Sequence, residues 1–283
     1  MKLNAVLERE LRSRMRSWRS PLALTIYAGV LAAIGFAFFY LNTRNRYMFN
    51  YQMGMEMYVL LAVVQFALLA FVTPALTAGT ISGEKERQTF DILISTKLSA
   101  AGVVLGKLAA SLSYVFLLII VSLPLFSLVF LLGGVTLGDL LGTFLIYLVT
   151  TVYIAAWGMF FSAIFRRTQI ATVATYLITL FLGGGTYLIA AFIRAYLGAN
   201  AFSGVPTIIY FSPVTSLLYA LPGDVGMQII RELSNSHSAT LNEILYGNLA
   251  VEGIIIVLLL LLTINLVKPV KRWSWRGRKK EQI

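Results

Sequence analysis

Six long apolar runs constrain this sequence more than any other feature. A helix needs roughly 20 residues to cross a bilayer, and each run is about that long or longer, with most charged residues confined to the segments between the runs. Lipid offers backbone amides no partner, so each run is predicted to be a helix. The predicted spans are residues 21–41, 57–78, 105–132, 139–165, 169–197 and 249–267. The expected fold class is therefore an all-α polytopic membrane protein.

Composition supports the same conclusion and excludes several kinds of site. Only 12% of the 283 residues are charged, about half the fraction that is usual in soluble domains. The sequence has no cysteine, which excludes disulfides and thiolate metal sites. The net charge of +11 comes from basic residues that flank the apolar runs, a pattern typical of membrane topology and anionic lipid contacts rather than of nucleic-acid binding. The first run is longer than a signal-peptide core and is interpreted as a retained anchor.

The distribution of lysine and arginine predicts the orientation of the chain. With a cytoplasmic N-terminus, nineteen of the 23 basic residues lie inside. We therefore expect a multi-pass protein of a bacterial plasma membrane, with both termini, the basic tail 268–283 and the loop after the second span in the cytoplasm. The loop 198–248 would lie outside. Its apolar stretch 205–223 is broken by three prolines, and is expected to form short helices in the outer leaflet or over the spans.

Residues 1–20 are predicted to form an amphipathic helix at the inner membrane interface. Apolar residues recur there every three or four positions, while most arginines fall on other faces. The alternative is a topogenic charge cluster with incidental helicity. The apolar stripe consists of Leu3, Leu7, Leu11, Met15 and Trp18.

The segment GTISGEKERQTFDILISTKLS, residues 79–99, concentrates five charges within eight residues between two apolar spans. Its pattern predicts a short helix over 82–99 that is capped by Ser82 or Gly83, with acidic residues in its first turn. One interpretation is a solvated connecting helix stabilised by ion pairs such as Glu84 with Arg87. Its apolar residues favour a surface that binds a partner.

This segment resembles the cytoplasmic loop of ABC-2 type permeases, the membrane subunits of a class of ATP-driven transporters. An N-terminal EREL-RS-RS-P pattern, six spans and the stretch FSPVT at 211–215 extend the resemblance over most of the chain. The sequence departs from the family pattern at Gln88, where glycine is usual, and at Lys97, where proline is common. The matching residues are Glu84 and Glu86 for the acidic pair, Thr89, Leu93, and Gly106-Lys107 at the entrance of the third span.

The resemblance implies that residues 82–99 are a coupling helix that docks on a separate ATPase subunit. It also implies that the N-terminal helix is an interface helix, and that the protein is an exporter subunit that pairs with a second copy of itself or a related permease. ATP and Mg²⁺ would be bound by the partner ATPase, with no cofactor in this chain. The implied contact residues are Glu84, Glu86, Arg87, Thr89, Phe90 and Leu93.

No catalytic pattern is present in the sequence. The stretch GVVLGKL at 102–108 has only three residues between its glycines and no hydroxyl residue after Lys107, so it does not match a phosphate-binding loop. His237 is the only histidine and is interpreted as an ordinary surface residue. We therefore expect no enzymatic activity and no metal site in this chain.

Polar residues within the spans suggest a substrate path or a dimer seam. The fifth span carries small and hydroxyl residues at helical spacing, which indicates close helix packing or a lining of the path. Gln65, Phe66 and Thr73 are weaker lining candidates on the second span. The fifth-span face consists of Thr172, Thr175, Thr179, Gly183 and Thr186.

Two ionisable residues, Arg194 and Glu252, fall near the predicted outer ends of their spans, where they would pair or extend to the interface. A secondary carrier is disfavoured because no carboxylate or histidine is predicted near mid-membrane. The other alternative is a non-transporting immunity, sensing or assembly module on the same scaffold.

Overall fold

The computed structural model describes residues 18–45, 51–90, 99–197, 206–222, 226, 228–229 and 241–268. Within these ranges every regular element is a helix and no strand occurs. Trp18 is 82% exposed and directly precedes the first span. The predictions for Leu3, Leu7, Leu11, Met15, Leu93, His237 and the tail beyond Lys268 fall outside the described residues.

Six helices are long and apolar enough to cross a membrane, which confirms the predicted fold class. Several extend beyond the predicted runs, since a helix continues into polar sequence after its apolar part has ended. The sixth, for example, begins at Leu241 rather than at residue 249. In chain order the first to sixth spans are Arg19–Asn45, Tyr51–Thr77, Ala100–Leu132, Leu137–Ile164, Thr168–Leu197 and Leu241–Val267.

The fourth span is the centre of the bundle and packs against the second, third, fifth and sixth spans. Small residues on this helix allow its neighbours to approach closely. A Cβ atom at Gly158 would lie 2.1 Å from the Thr77 side-chain oxygen, so the second span crosses the fourth where only glycine fits. We call the end of the bundle where the second span finishes at Thr77 and the fifth starts at Thr168 the charged end.

The fifth span contains a wide turn near its middle. Residues Phe181–Gly185, with the sequence FLGGG, form a π-helix between two α-helical halves, Thr168–Leu180 and Thr186–Leu197. Such turns interrupt the regular hydrogen-bond ladder and are frequent at functional sites.

Residues 206–222 enter the bundle from the opposite end, and we call them the re-entrant segment. They form a short 3₁₀ helix, Thr207–Phe211, and an α-helix, Pro213–Ala220. The Ser212 hydroxyl donates to the Gly183 carbonyl at 3.2 Å, which places the break between the two helices at the middle of the fifth span. The segment therefore reaches deeper than a cap over the spans, which was one of the two arrangements expected from the sequence; the other was a dip into the outer leaflet.

Side chains from neighbouring spans make this depth possible, because buried carbonyls at a helix break must find donors. The carbonyls of Tyr210 and Ser212 both accept from the Asn248 amide, and the Phe211 carbonyl accepts from the Tyr153 hydroxyl. Three consecutive backbone carbonyls are thus satisfied from the fourth and sixth spans.

Candidate functional site: the helix Ser82–Glu86 and its anchors

The charged segment forms a helix of only five residues, Ser82–Glu86. The single helix predicted over 82–99 is wrong in its described part, because Gln88 adopts a φ of 58°. A left-handed residue cannot continue a right-handed helix, and glycine would adopt this conformation more readily than the glutamine present here. Residues 91–98 lie outside the described residues, and Ser99 caps the start of the third span through the Gly102 amide.

The start of this helix is capped by another span rather than by its own residues. Neither Ser82 nor Gly83 acts as the predicted cap: the Ser82 hydroxyl donates to the Ala78 carbonyl at 2.8 Å. The amides of Ile81 and Ser82 donate instead to the Ser162 hydroxyl on the fourth span, each at 2.9 Å. The helix is therefore fixed to the fourth span where it begins.

Glu84 joins the helix to the third span. Its carboxylate accepts from the Lys107 ammonium group at 2.7 Å, and only 3% of the Lys107 side chain and 23% of the Glu84 side chain are exposed. The pairing of Glu84 with Arg87 considered from the sequence is not the one observed. Lys107, which belongs to the stretch 102–108 that does not match a phosphate-binding loop, is thus the partner of Glu84.

Glu86 joins the helix to the fifth span. Its carboxylate accepts from the backbone amide of Thr168 at 3.1 Å and from the hydroxyl of the same residue at 2.7 Å. Thr168 is the first residue of the span, so Glu86 supplies a negative cap to a helix whose N-cap residue, Arg167, gives none. This is where the helix dipole favours a carboxylate.

Lys85 joins the helix to the end of the fourth span. Its ammonium group donates to the Ala163 carbonyl and lies 5.3 Å from the centre of the Phe90 ring. A cation at the end of a helix complements the carbonyls that have no partner within that helix. Three consecutive residues therefore bind three different spans.

The other predicted contact residues differ in exposure. Arg87 and Thr89 are exposed, as is Gln88 between them, whereas Phe90 is half-buried. The Phe90 ring packs against an apolar cluster that includes Ile81 and the last residue of the sixth span, Val267. The charged segment thus has an anchored side and an exposed side.

The residues predicted to line a path or a dimer seam are mostly inside the bundle. Gln65 donates to the Ser122 hydroxyl at 2.9 Å, and Phe66 and Thr73 are buried. On the fifth span Thr175 is fully buried. Each threonine of that face donates to the carbonyl four residues earlier, and Gly183 lies in the π-helix. Their role in a path or a seam stays a prediction.

Sequence reasoning misplaced Glu252. Its side chain is fully buried, so it does not extend to the interface, and it forms no ion pair with Arg194. The early start of the sixth span at Leu241 places Glu252 well inside the helix. Asn248, one turn earlier, could have indicated from the sequence that the helix begins before residue 249, because two polar residues four positions apart share one helical face.

Comparison with known proteins agrees with the architecture. The model of a family described as ABC-2 family transporter protein matches residues 12–265. No curated protein matches the chain. The matched region includes the first five spans, the anchored helix, the re-entrant segment and the sixth span as far as residue 265, and the chain therefore belongs to the ABC-2 family of transporter proteins.

Proposed function

We propose that this chain is the membrane subunit of an ATP-driven exporter, and that the helix Ser82–Glu86 passes the motion of a separate ATPase subunit to the spans. The observation that carries the proposal is the set of anchors on Glu84, Lys85 and Glu86. Each residue binds a different span, so a displacement of the helix acts on the third, fourth and fifth spans together.

The anchors are suited to transmit force because they are short and several are shielded from water. The ion pair between Glu84 and Lys107 is largely buried, and charge-assisted hydrogen bonds of this kind are stronger than neutral ones. The two amides held by Ser162 add a backbone link to the fourth span. These polar contacts would transmit a displacement of the helix to the spans, because they restrict the rotation of the side chains that make them.

The same geometry divides the six contact residues implied by the family resemblance. Arg87, Thr89 and the exposed edge of Phe90 would contact the ATPase. Leu93 lies outside the described residues, and its contact with the ATPase rests on the family resemblance alone. Glu84 and Glu86 would act inside the membrane subunit, because their carboxylates already bind Lys107 and Thr168.

The remaining parts of the proposal follow from the charge and the apolar faces of the bundle. The excess of basic residues supports a cytoplasmic location for the charged end. The ATPase would bind ATP and Mg²⁺ there, and a second copy or a related permease would complete the transporter. Apolar spans with scattered threonine, tyrosine and phenylalanine suit amphipathic or lipid-like cargo better than small ions.

The experiment is co-purification of the chain with the ATPase encoded beside it, followed by ATPase assays in lipid nanodiscs. Arg87→Glu should weaken co-purification, because it reverses a charge on the exposed side. Glu86→Gln should leave co-purification intact and lower the stimulation of ATP hydrolysis, because it weakens the link to Thr168.

Glu243→Gln is the control, since Glu243 is exposed at the start of the sixth span. It should match the wild type in both assays. Failure of the wild-type chain to co-purify would refute the ATPase partnership. Equal stimulation by wild type and Glu86→Gln would refute the transmitting role of Glu86.

A further inference from the structure

The sixth span holds a buried carboxyl group that the proposed coupling does not use. Glu252 has no exposed side-chain surface, and neither of its oxygens has a hydrogen-bond donor in the part of the chain that the structure describes. It lies nine positions after Glu243, about 14 Å further along the helix axis. A carboxylate without donors in such an environment is strongly disfavoured.

The nearest polar residue on the same helical face, Asn248, lies close enough to interact with the Glu252 carboxyl, but its amide hydrogens are donated elsewhere. Asn248 lies one turn away, and its amide nitrogen donates to the carbonyl of Tyr210 at 2.8 Å and to that of Ser212 at 3.0 Å. Both amide hydrogens are therefore used by the re-entrant segment. The remaining amide oxygen of Asn248 is buried and has no donor among the described residues.

The elements packed against the sixth span offer no compensating charge. They are the third span, the fourth span and the two short helices of the re-entrant segment. Tyr153 on the fourth span is a titratable neighbour, and its hydroxyl donates to the Phe211 carbonyl. The charged groups on these elements are Lys107, which is paired with Glu84, and Asp139, which caps the fourth span with Thr136. Their other titratable side chains are Tyr114, Tyr147, Tyr210 and Tyr219.

We propose that Glu252 is a proton-binding site, occupied at neutral pH while the bundle has this arrangement. The bound proton removes the charge from a carboxyl group that has no donor. It also converts the carboxyl group into a donor, which the Asn248 oxygen on the same face needs. The ligand is a proton rather than a metal ion, because the site offers one carboxyl group and one amide oxygen without a partner.

The position of the site gives the proton a structural consequence. Asn248 holds the break in the re-entrant segment through two carbonyls, and the same segment contacts the π-helix through Ser212. Loss of the proton would place a negative charge beside the amide that holds this break. Proton binding therefore favours the arrangement in which the re-entrant segment is bound by Asn248, whether or not an ATPase is bound.

Infrared difference spectroscopy of the full chain in lipid nanodiscs tests the protonation state. At neutral pH the wild type should show the carbonyl-stretch band of a protonated carboxylic acid, and Glu252→Gln should lack it. Glu243→Gln, an exposed carboxyl on the same helix, should retain the band. Equal spectra for wild type and Glu252→Gln in this region would overturn the proposal.

The same spectra recorded in sodium and in choline buffers separate a proton from a metal ion. The acid band should be present in both buffers. A carboxylate band that replaces it in sodium alone would show a sodium site and overturn the proposal.

Thermal unfolding against pH gives an independent readout that does not depend on the spectra. A carboxyl that is neutral when folded and ionised when unfolded lowers the folding constant up to about tenfold for each unit of rising pH. The wild type should therefore lose stability between weakly acidic and neutral pH relative to Glu252→Gln. Parallel curves for the two proteins would overturn the proposal.

Discussion

Removal of the Lys107 cation should destabilise this protein more than most single substitutions. The ammonium group lies 2.7 Å from Glu84 Oε1, and only 3% of the Lys107 side chain is exposed. The other oxygen of Glu84 is buried with no donor among the described residues. Lys107→Met therefore leaves a carboxylate with little compensation. Breaking a buried pair costs about 3–5 kcal/mol, and we expect the lower end, about 3 kcal/mol, because Glu84 keeps some exposure to water.

Thermal unfolding in detergent micelles measures this effect through the intrinsic fluorescence of the four tryptophans. A loss of about 3 kcal/mol corresponds to a fall in Tm of roughly 6–12 °C for a protein of this size. Arg87→Gln, which removes an exposed charge from the same segment, is the matched control and should change stability by less than about 0.5 kcal/mol.

A double-mutant cycle then isolates the pair. Glu84→Gln should also destabilise, because it removes the carboxylate that accepts from the lysine, and the double variant Glu84→Gln with Lys107→Met should recover part of the loss. Additive effects in the cycle would show that the two groups do not interact. A Tm for Lys107→Met within about 1 °C of the wild type would refute the reasoning from burial.

Two further predictions concern backbone positions. Gly158→Ala should destabilise by about 1–3 kcal/mol because its Cβ would lie 2.1 Å from the Thr77 side-chain oxygen, whereas Gly142→Ala on the same span meets nothing within 4 Å and should not destabilise in the same thermal assay. Gln88→Gly should raise stability by about 1 kcal/mol, because its φ of 58° is unfavourable for residues with a side chain. Equal Tm values for the two alanine variants, or a less stable Gln88→Gly protein, would contradict these predictions.

The spans could be predicted from the sequence because the bilayer imposes a single rule on long apolar runs. Their ends could not, because a helix continues after its apolar part and hydropathy does not record the continuation. The error matters at the sixth span. Reading its start at residue 249 rather than at Leu241 placed Glu252 near an interface instead of inside the bundle.

The anchored helix shows a second limit. The acidic pair was recognisable from spacing, and so was the Gly-Lys pattern after it. Nothing local indicates that Glu84 binds a lysine 23 positions later, or that Glu86 binds a threonine 82 positions later. Such partners are brought together by the packing of the spans, and a single sequence without aligned relatives does not encode them in a periodic pattern.

The π-helix in the fifth span separates two α-helical halves and forms a hinge between them. The first half binds Glu86 through Thr168 at the charged end. The hinge contains three consecutive glycines, which have no side chains that could restrict its motion. The Ser212 hydroxyl of the re-entrant segment donates to the Gly183 carbonyl within this hinge. A tilt of the first half can therefore displace the re-entrant segment at mid-bundle. The second half, Thr186–Leu197, is tied to the same segment through the hydroxyls of Tyr187 and Thr215, which lie 2.8 Å apart.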